Sequence, residues 1–383
     1  MKNNQKIPEG WSIKKLGLCL SLLKDGTHGT HIDVPNGIML LSAKDVINGQ
    51  IILSKDSRRI SIGDFNLLHK KYHIQNGDVV LTIVGTIGRC AIIDNYNDNY
   101  TFQRSVAILR PYKEITSKYL LTYIQGSSFQ KELLKRQSVS AQPGVYLDDL
   151  SKIYLLLPPL PEQEKIAEIL GTWDEAIEKL SSLIEQKKLL KKALMQKLIY
   201  TRTNATKYKV ADLFELGRGR VISKNEIDTH QGVFPVYSSQ TSDNGILGYI
   251  NTYDFQGEYI TWTTDGANAG EVFYRNGKFN CTNVCGTAKA KEKNVNLYYA
   301  MSFLNHVSKK YVSYVGNPKL MNGVFAIIPL ILPNIEIQNK VAEVLSTADD
   351  EIDLLNKKLI LFKEQKKGLM QQLLTGNIRV KVN

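Results

Sequence analysis

The chain has 383 residues, which is longer than the chain that a single hydrophobic core usually supports. Of these residues, 43% are apolar and 22% are charged, a composition that is ordinary for a globular protein. The 49 Lys and Arg residues exceed the 37 Asp and Glu residues, and the formal net charge of +12 favours a polyanionic partner. No apolar run approaches the roughly 20 residues of a membrane span, and the first residues lack an apolar signal core, so we expect a cytoplasmic protein without membrane contact.

The first block, residues 1–160, contains short runs typical of β-strands, separated by turns rich in Gly, Asn and Asp. A pair of helices is predicted over residues 116–136, where Ser or Thr can cap each start and apolar spacing follows. The block is therefore expected to be a mixed α/β domain. The predicted strands are residues 37–41, 50–53, 78–84, 90–93 and 105–109.

A long amphipathic helix follows as its own module, residues 161–203. The proline cluster of residues 157–161 ends the first block, and the helix is predicted to start at Gln163. Apolar residues recur in alternating steps of four and three, which is the spacing of a coiled coil. At ~1.5 Å per residue the helix extends on the order of 55–60 Å, so its apolar stripe requires a partner helix. The stripe positions are Ile166, Leu170, Trp173, Ile177, Leu180, Ile184, Lys187, Lys191, Leu194 and Leu198.

The whole arrangement occurs twice. Residues 204–333 form a second block and residues 334–383 a second long helix. The helix sequences 163–199 and 338–374 align without a gap at a constant shift of 175 residues. Within the blocks the match is confined to Gly, Pro and strand positions. The shared frame is therefore expected to be structural, and the divergent side chains are expected to give each block its own binding surface.

These modules predict a protein of the α/β (α+β) class. Two similar mixed α/β domains are separated by two long antiparallel coiled-coil helices, as a pseudo-two-fold internal repeat. An alternative stays open, in which the two helices do not pair with each other and instead dimerise with partners in trans. The four cysteines, Cys19, Cys90, Cys281 and Cys285, lack a metal-site spacing and are expected to be buried free thiols.

Several motifs occur in a fixed order along the chain: Pro8-Glu-Gly-Trp11, Asp25-Gly-Thr-His28, Gly77-Asp78-Val with Gly85 and Gly88, Leu157-Pro-Pro-Leu-Pro-Glu-Gln163 and its weaker copy Leu332-Pro-Asn-Ile-Glu-Ile-Gln338. In this order they resemble the specificity subunit of a type I DNA restriction-modification system over essentially its whole length. The second joint departs from the pattern, because Ile337 stands where the first joint has Glu162.

The resemblance implies two target-recognition domains that each read one half of an interrupted DNA sequence. It also implies that the paired helices fix the gap between the half-sites and dock two modification (methyltransferase) subunits, with restriction (translocase and endonuclease) subunits in the same assembly. Two similar domains on a rigid spacer independently match a two-fold DNA site, whose half-sites lie about 34–36 Å apart for one helical turn.

Polar residues in the Gly-rich loops after strands are the predicted DNA-binding residues, because Lys and Arg neutralise phosphates while Asn, Gln and Arg hydrogen-bond base edges in the major groove. Each of them could instead be a solvated loop residue. In the first domain they are Lys24, Asp25, Thr27, His28, His31, Lys44, Thr86, Arg89, Gln103, Arg104 and Ser105. In the second domain they are Arg218, Arg220, Lys224, Ser239, Gln240, Thr241, Asn244, Thr264, Asp265, Asn268, Thr282 and Asn283.

Catalysis is expected to lie outside this chain. The sequence has neither the Gly-rich cofactor loop nor the Asn/Asp-Pro-Pro-aromatic tetrad of a DNA methyltransferase. Two nuclease-like Glu-Gln-Lys triplets, 185–187 and 364–366, lie on the predicted coiled-coil helices. His28 and His31 could form half a metal site but lack a third ligand at a useful spacing, and His69 and His73 are expected on a surface turn.

We therefore expect this chain to bind no cofactor, with S-adenosylmethionine, ATP and magnesium on the partner subunits. Two alternatives stay open at this stage. The chain could be a methyltransferase or nuclease acting by itself, or a coiled-coil scaffold without a DNA role.

Overall fold

The structure, a computed structural model, describes residues 7–47, 49–138, 143–200 and 205–382. The chain forms two compact units. Unit 1 contains residues 1–181 and 358–383, and unit 2 contains residues 182–357. The units therefore divide both long helices, whereas the predicted modules 1–160, 161–203, 204–333 and 334–383 follow the sequence repeat. The module boundaries stay a prediction, and residues 201–204 at one of them lie outside the described residues.

The first half of the chain consists of short strands and helices followed by one helix of 41 residues. The strands are β1 (Ser12–Lys15), β2 (Leu20–Asp25), β3 (Ile38–Leu41), β4 (Val46–Ile47), β5 (Gln50–Ile51), β6 (Arg59–Ile60), β7 (Val79–Thr82), β8 (Cys90–Ile92), β9 (Tyr100–Phe102), β10 (Val106–Pro111) and β11 (Tyr154–Leu157). The helices are α1 (Ile62–Leu68), α2 (Ser117–Gln125), α3 (Ser127–Lys135), α4 (Leu147–Ser151) and α5 (Leu160–Tyr200), with 3-10 turns at Leu16–Cys19 and Ala43–Asp45. The predicted strands coincide with β3, β5, β7, β8 and β10, and the predicted helix pair with α2 and α3.

The second half has the same plan and also ends in a helix of 41 residues. Its strands are β12 (Thr206–Lys209), β13 (Phe214–Arg218), β14 (Gln231–Tyr237), β15 (Ile246–Ile250), β16 (Phe255–Gln256), β17 (Tyr259–Thr263), β18 (Val272–Arg275), β19 (Lys278–Cys281), β20 (Cys285–Ala290) and β21 (Pro329–Leu332). The helices are α6 (Val210–Leu213), α7 (Lys224–Thr229), α8 (Leu297–Val307), α9 (Asn322–Ala326) and α10 (Ile335–Thr375), with 3-10 turns at Ser242–Gly245 and Ser308–Tyr311.

The strand order is the same in both units. Unit 1 has a four-stranded antiparallel sheet in the order β2-β10-β7-β8, and unit 2 has its counterpart in the order β13-β20-β17-β18. A second sheet in each unit contains one parallel pair, β3 with β9 and β14 with β19. The first and last strands of each domain also pair, β1 with β11 and β12 with β21. The duplicated topology confirms the predicted fold of two similar mixed α/β domains.

Parts of the long helices belong to the hydrophobic core of each unit. In unit 1, Ile166 and Leu170 of α5 and Leu373 of α10 are buried in one cluster with the central sheet and α2. In unit 2, Val341 and Leu345 of α10 are buried in the corresponding cluster. The apolar stripe therefore packs a domain and a helix together, in addition to packing the two helices against each other.

Within each unit the two helices run antiparallel. In unit 1 the start of α5 shares its core cluster with the end of α10, and Lys366 forms an ion pair with Asp174. In unit 2, Lys191 pairs with Asp349, and Lys187 pairs with Glu351. The earlier residue of α5 therefore contacts the later residue of α10, as antiparallel helices require. Pairing within the chain is thus the observed arrangement, and the alternative of dimerisation in trans is not.

The first long helix begins three residues before its predicted start at Gln163. α5 starts at Leu160 and α10 at Ile335. Pro161 lies in the first turn of α5, where the backbone N–H that proline lacks would have no helical acceptor, so proline is tolerated there. The proline cluster therefore follows the end of β11, and the helix begins within this cluster.

Gln163, one of the repeated residues, fixes the first turn of α5 to the domain. Its side chain is 1% exposed. Its Oε1 accepts from the backbone N–H of Thr116 at 3.0 Å, and its Nε2 donates to the backbone oxygens of Glu114 at 2.9 Å and Pro158 at 3.0 Å. Thr116 is the N-cap of α2, so one amide side chain connects the start of α5, the end of β11 and the start of α2.

Gln338 makes the same set of contacts at the start of α10. Its Oε1 accepts from the backbone N–H of Asn296, the N-cap of α8, at 2.9 Å. Its Nε2 donates to the backbone oxygens of Pro333 at 2.8 Å and Asn294 at 3.4 Å. Identity at this position of the repeat therefore has a structural cause.

His69 is buried, although the sequence suggested a surface turn. It is 2% exposed, and its ring nitrogens contact the Tyr72 backbone oxygen at 3.2 Å and Thr101 Oγ1 at 3.0 Å. Burial lowers the pKa of His69 below its ordinary value of 6.5, and the neighbouring His73 lowers it further, while the Tyr72 carbonyl and Asp98 oppose the shift. The folded state therefore prefers the neutral imidazole.

The four cysteines are free and buried, as predicted. Burial raises the pKa of Cys90 to about 12, so this thiol stays protonated at neutral pH.

Among the described residues, no helix combines the length and the apolar composition that crossing a bilayer requires.

Replacing Gln163 with Leu is expected to destabilise unit 1 by about 2–4 kcal/mol, because two backbone oxygens and one N–H lose their partner in a buried place. Chemical denaturation measures the loss, and hydrogen exchange locates it in residues 7–181. Gln186→Leu, at an exposed position of the same helix, is the control and should change stability by less than about 0.5 kcal/mol. Equal effects of the two substitutions would contradict the anchoring role.

The free energy of unfolding of unit 1 should fall as the pH drops below about 6.5, because the unfolded chain then binds a proton at His69 that the folded chain resists. His69→Gln should remove this part of the pH dependence, whereas His73→Gln, at an exposed position, should retain most of it, because burial is the largest cause of the shift. Urea unfolding at pH 7.5 and pH 5.5 checks the expectation. An unchanged pH dependence in the His69 variant would show that another group is responsible.

Candidate nucleic-acid interface

In unit 1, loops from three strands meet at one end of the central sheet. The backbone N–H of Gln103 donates to the Leu41 oxygen at 2.8 Å, and that of Arg104 donates to the Thr27 oxygen at 3.0 Å. The segment after β2, the end of β3 and the turn between β9 and β10 are thereby held together. We call this the loop end of domain 1, formed by residues 25–31, 42–45, 83–89 and 103–105.

A close backbone approach makes this junction possible. A Cβ atom built on Gly26 would lie 2.1 Å from the Phe102 carbonyl oxygen, so only glycine lets the segment after β2 pass. Thr27 then forms an isolated parallel bridge with Gln103. Ser105 continues the junction, because its Oγ accepts from the backbone N–H of Ala43 at 3.1 Å.

The two histidines of domain 1 are held by separate partners. His28 Nε2 contacts Asp25 Oδ2 and stays exposed. His31 is half-buried, with Nε2 2.8 Å from Thr27 Oγ1 and Nδ1 3.6 Å from Asp64 Oδ2. Within the described ranges, no group of three or more His, Cys, Asp and Glu residues is placed to hold a metal ion.

Unit 2 has the corresponding junction. A Cβ atom on Gly219 would lie 2.2 Å from the Cys281 carbonyl oxygen, and Arg220 forms an isolated parallel bridge with Thr282. These contacts repeat those of Gly26 and of Thr27 with Gln103. The loop end of domain 2 comprises residues 218–224, 238–245, 264–268 and 282–284. Equivalent backbone thus presents different side chains in the two domains.

Arg218 connects two of the predicted loops of domain 2. Its Nε donates to the Asn283 backbone oxygen at 2.5 Å, and its Nη2 lies 3.4 Å from both Asp265 Oδ2 and Thr264 Oγ1. Thr264 is fully buried and donates to Asp265 at 2.6 Å. Arg218, Asp265 and Asn283 therefore reach the surface as one connected group.

Arg220 is held by two carboxylates. Its guanidinium contacts Glu226 Oε1 at 2.6 Å and Oε2 at 3.1 Å, and Asp254 Oδ2 at 3.0 Å. The hydrogen bond to Glu226 is the largest cause of the raised pKa of Arg220, and the same bond lowers the pKa of Glu226. Two acidic partners leave this arginine little free charge to attract a phosphate.

The loop of residues 238–245 carries four predicted residues, Ser239, Gln240, Thr241 and Asn244. The backbone N–H of Ser238 donates to the Gly245 oxygen at 2.9 Å and closes the loop. Asn244 has a φ of +52°, a left-handed conformation that asparagine tolerates better than most residues. Thr282 fixes the base of the loop, because its Oγ1 lies 3.2 Å from Ser238 Oγ.

The predicted residues differ in accessibility. Those exposed are Lys24, His28, Lys44, Thr86, Arg89, Arg104, Arg218, Arg220, Lys224, Thr241, Asn244 and Asn283. Those half-buried are Asp25, Thr27, His31, Gln103, Ser105, Ser239, Gln240, Asp265 and Asn268. Thr264 and Thr282 are buried beneath these surfaces. Lys24 directly precedes the loop end of domain 1 on β2, and its Nζ lies 6.0 Å from the ring centre of Tyr72.

Sequence reasoning missed three basic residues at these sites. Arg58 Nη2 donates to the His31 backbone oxygen at 2.7 Å. Lys319 forms an isolated bridge with Asp265. Arg275 is 3% exposed and stacks on the ring of Tyr237, with its Cζ 3.6 Å from the ring centre. These residues are far in sequence from the loops that they contact, so the sequence does not relate them to the site. The adjacent basic pair Arg58-Arg59 is the one feature in the sequence that could have indicated a role.

Unit 1 also has an open cavity of about 1000 Å³ between its central sheet and its long helices. Lys118, Asp174, Lys366 and Arg89 are among its lining residues, so one predicted DNA-binding residue faces this space. In unit 2, the rings of Tyr274 and Tyr298 pack 5.7 Å apart, and the Tyr298 hydroxyl donates to Asp349. Asp349 is the repeat counterpart of Asp174. Asp174 therefore lines an open cavity in unit 1, whereas Asp349 contacts a packed tyrosine in unit 2.

Two copies of one mixed α/β domain, each with polar loops at one end of its sheet and each anchored on a long helix, define a duplicated recognition protein. Residues 35–186 and again residues 203–363 match the family described as the type I restriction modification DNA specificity domain. The two matches cover well over half of the chain, and the chain belongs to this family. Membership confirms the resemblance, and with it a role in DNA recognition rather than in catalysis.

Individual relatives agree with this assignment. A Mycoplasma pneumoniae protein provisionally named as the N-terminus of a type I specificity subunit is 48% identical over 141 residues, which cover 37% of this chain and 75% of that protein. A second protein of that organism, provisionally named as a type I specificity subunit, is 42% identical over 205 residues, which cover 51% of this chain and 81% of that protein. The crystal structure of a type I restriction-modification system S subunit from M. genitalium has the same fold, with a TM-score of 0.64, 16% identity and 98% of both chains covered.

Proposed function

We propose that this chain directs a type I restriction-modification assembly to a bipartite DNA sequence, with each loop end reading one half-site in the major groove. The observation that carries the proposal is the duplicated junction, in which Thr27 with Gln103 and Arg220 with Thr282 occupy the same place in two domains. One backbone frame with two sets of polar side chains is what reading two different half-sites requires.

The exposed side chains at each loop end have suitable chemistry. Arg104 and Arg89 in domain 1 and Arg218 in domain 2 can bind phosphates or the O6 and N7 atoms of guanine. Asn283 and Asn244 can form paired hydrogen bonds with adenine. The direct readers are proposed to be these exposed residues, while the buried hydroxyls of Thr264 and Thr282 position their neighbours.

Arg220 is proposed to order its loop rather than to neutralise a phosphate. Its two carboxylate partners, Glu226 and Asp254, tie the segment after β13 to α7 and to the segment before β16. Lys224, the first residue of α7, stays exposed beside this ion pair and is the better candidate for a phosphate contact.

The long helices are proposed to set the distance between the half-sites and to dock two modification subunits. Exposed apolar side chains on these helices, two pairs of them adjacent in sequence, support a docking role, because contiguous exposed apolar surface is typical of protein–protein interfaces. These residues are Leu183, Leu189 and Leu190 on α5 and Leu354, Ile360 and Leu361 on α10. S-adenosylmethionine, ATP and magnesium are proposed to lie on the modification and restriction subunits, and the assembly is expected in the cytoplasm.

Replacing Arg104 with Ala should weaken specific DNA binding by the assembled complex about tenfold or more, because one charged contact at the loop end of domain 1 is lost. If the contact is to a phosphate, the salt dependence of binding should also become less steep, by about one unit of slope. Lys113→Ala is the matched control, since Lys113 follows the other end of β10, roughly 20 Å away. Equal losses in the two variants would contradict the assignment of the loop end.

Exchanging residues 205–332 for those of a relative should change one half of the methylated sequence and leave the other half and the gap intact. Mapping methylated bases in a genome that carries the native or the exchanged gene measures this directly. A change in both halves would contradict the modular scheme. Loss of the gene should abolish the bipartite motif, and persistence of the motif would refute the proposed function altogether.

A further inference from the structure

Two contacts between the long helices, one in each unit, differ from each other although the helix sequences are repeats. In unit 1, the ring of Trp173 on α5 packs edge-on against the ring of Phe362 on α10, with ring centres 5.5 Å apart. Both side chains are half-buried. We call this contact the aromatic layer.

In unit 2, the repeat counterparts of these two residues are Ala348 and Lys187. They form no aromatic contact. Lys187 instead makes an ion pair with Glu351, with Nζ 2.7 Å from Oε1. We call this contact the ionic layer. The counterpart of Glu351 in the first helix is Ala176, so neither unit could form the layer of the other.

Two ion pairs between the helices are equivalent in the repeat. Asp174 pairs with Lys366 in unit 1, and their counterparts Asp349 and Lys191 pair in unit 2. These shared contacts would also form between two copies of α5 or between two copies of α10, because each helix carries both the Asp and the Lys. They stabilise a helix pair without selecting the partner.

From these differences we infer that the helix surface selects unlike halves: α5 of one half pairs with α10 of the other half, in preference to a second copy of itself. Two α5 helices in the same register would place Trp173 opposite Lys187 twice. Two α10 helices would place Ala348 and Glu351 beside Phe362 twice. Both like pairs lose the aromatic and the ionic layer, which is discrimination by mismatch as well as by match.

The partner that this surface fits is therefore the complementary half of this chain, or of a relative that keeps the same two layers. One consequence concerns exchange of halves between relatives. A new half should assemble only where it supplies the missing member of each layer, whatever DNA sequence its loops read.

The test cleaves the full chain between its two halves. A protease site inserted after Tyr200 gives one fragment that ends with α5 and one that ends with α10. After cleavage the fragments are separated in urea, returned to buffer together, and analysed by native mass spectrometry, with circular dichroism to verify that the helices have reformed. We expect unlike pairs to exceed like pairs on the order of tenfold or more, because a like pair has neither the aromatic layer nor the ionic layer.

The matched control makes both units carry the aromatic layer by the substitutions Lys187→Phe, Ala348→Trp and Glu351→Ala. Like pairs of either fragment can then form the layer, so the control should yield a clearly larger share of like pairs than the native fragments do. The inference is overturned if the native fragments form like pairs as readily as unlike pairs, if they fail to reassociate, or if native and control fragments give the same distribution.

Discussion

The structure depends on one buried amide at the start of each long helix. Gln163 and Gln338 each hydrogen-bond the N-cap of a domain helix, a backbone oxygen two residues before that N-cap, and a backbone oxygen just before the long helix. Because an unpaired polar group in these places would be costly, the first turn of the long helix has one orientation relative to its domain. The helix thereby becomes part of the domain core, and the loop end is held by a rigid element.

The duplicated frame and the divergent surfaces have different physical origins. Gly26 and Gly219 are constrained because a neighbouring carbonyl lies where a side chain would begin. The residues that follow them, Thr27 and Arg220, are free to differ, because their backbone alone maintains the junction. A scaffold of this kind can change what it reads without changing how it folds, which suits a family defined by DNA specificity.

Much of the architecture was predictable because heptad spacing and a gapless repeat are local signals. The strands also followed from runs such as residues 78–84. The predicted start of α5 at Gln163 is three residues too late, because proline interrupts most helices but is tolerated in a first turn. The prediction of a surface position for His69 is wrong, because the residues next to it in sequence do not indicate that it is buried. Of the predicted site residues, the turn of Gln103, Arg104 and Ser105 falls at the loop end, whereas Lys24 lies beside Tyr72 and Thr264 is buried.

The sequence by itself determined the two-domain repeat, the long amphipathic helices and the family resemblance, since all three depend on spacing along the chain. Tertiary structure decided which loops meet, that Arg220 is neutralised by Glu226 and Asp254, and that Trp173 faces Phe362 while Lys187 faces Glu351. These pairs join residues up to 189 positions apart. Local periodicity carries no information about such distant partners, because they are selected by packing and charge only after the chain has folded.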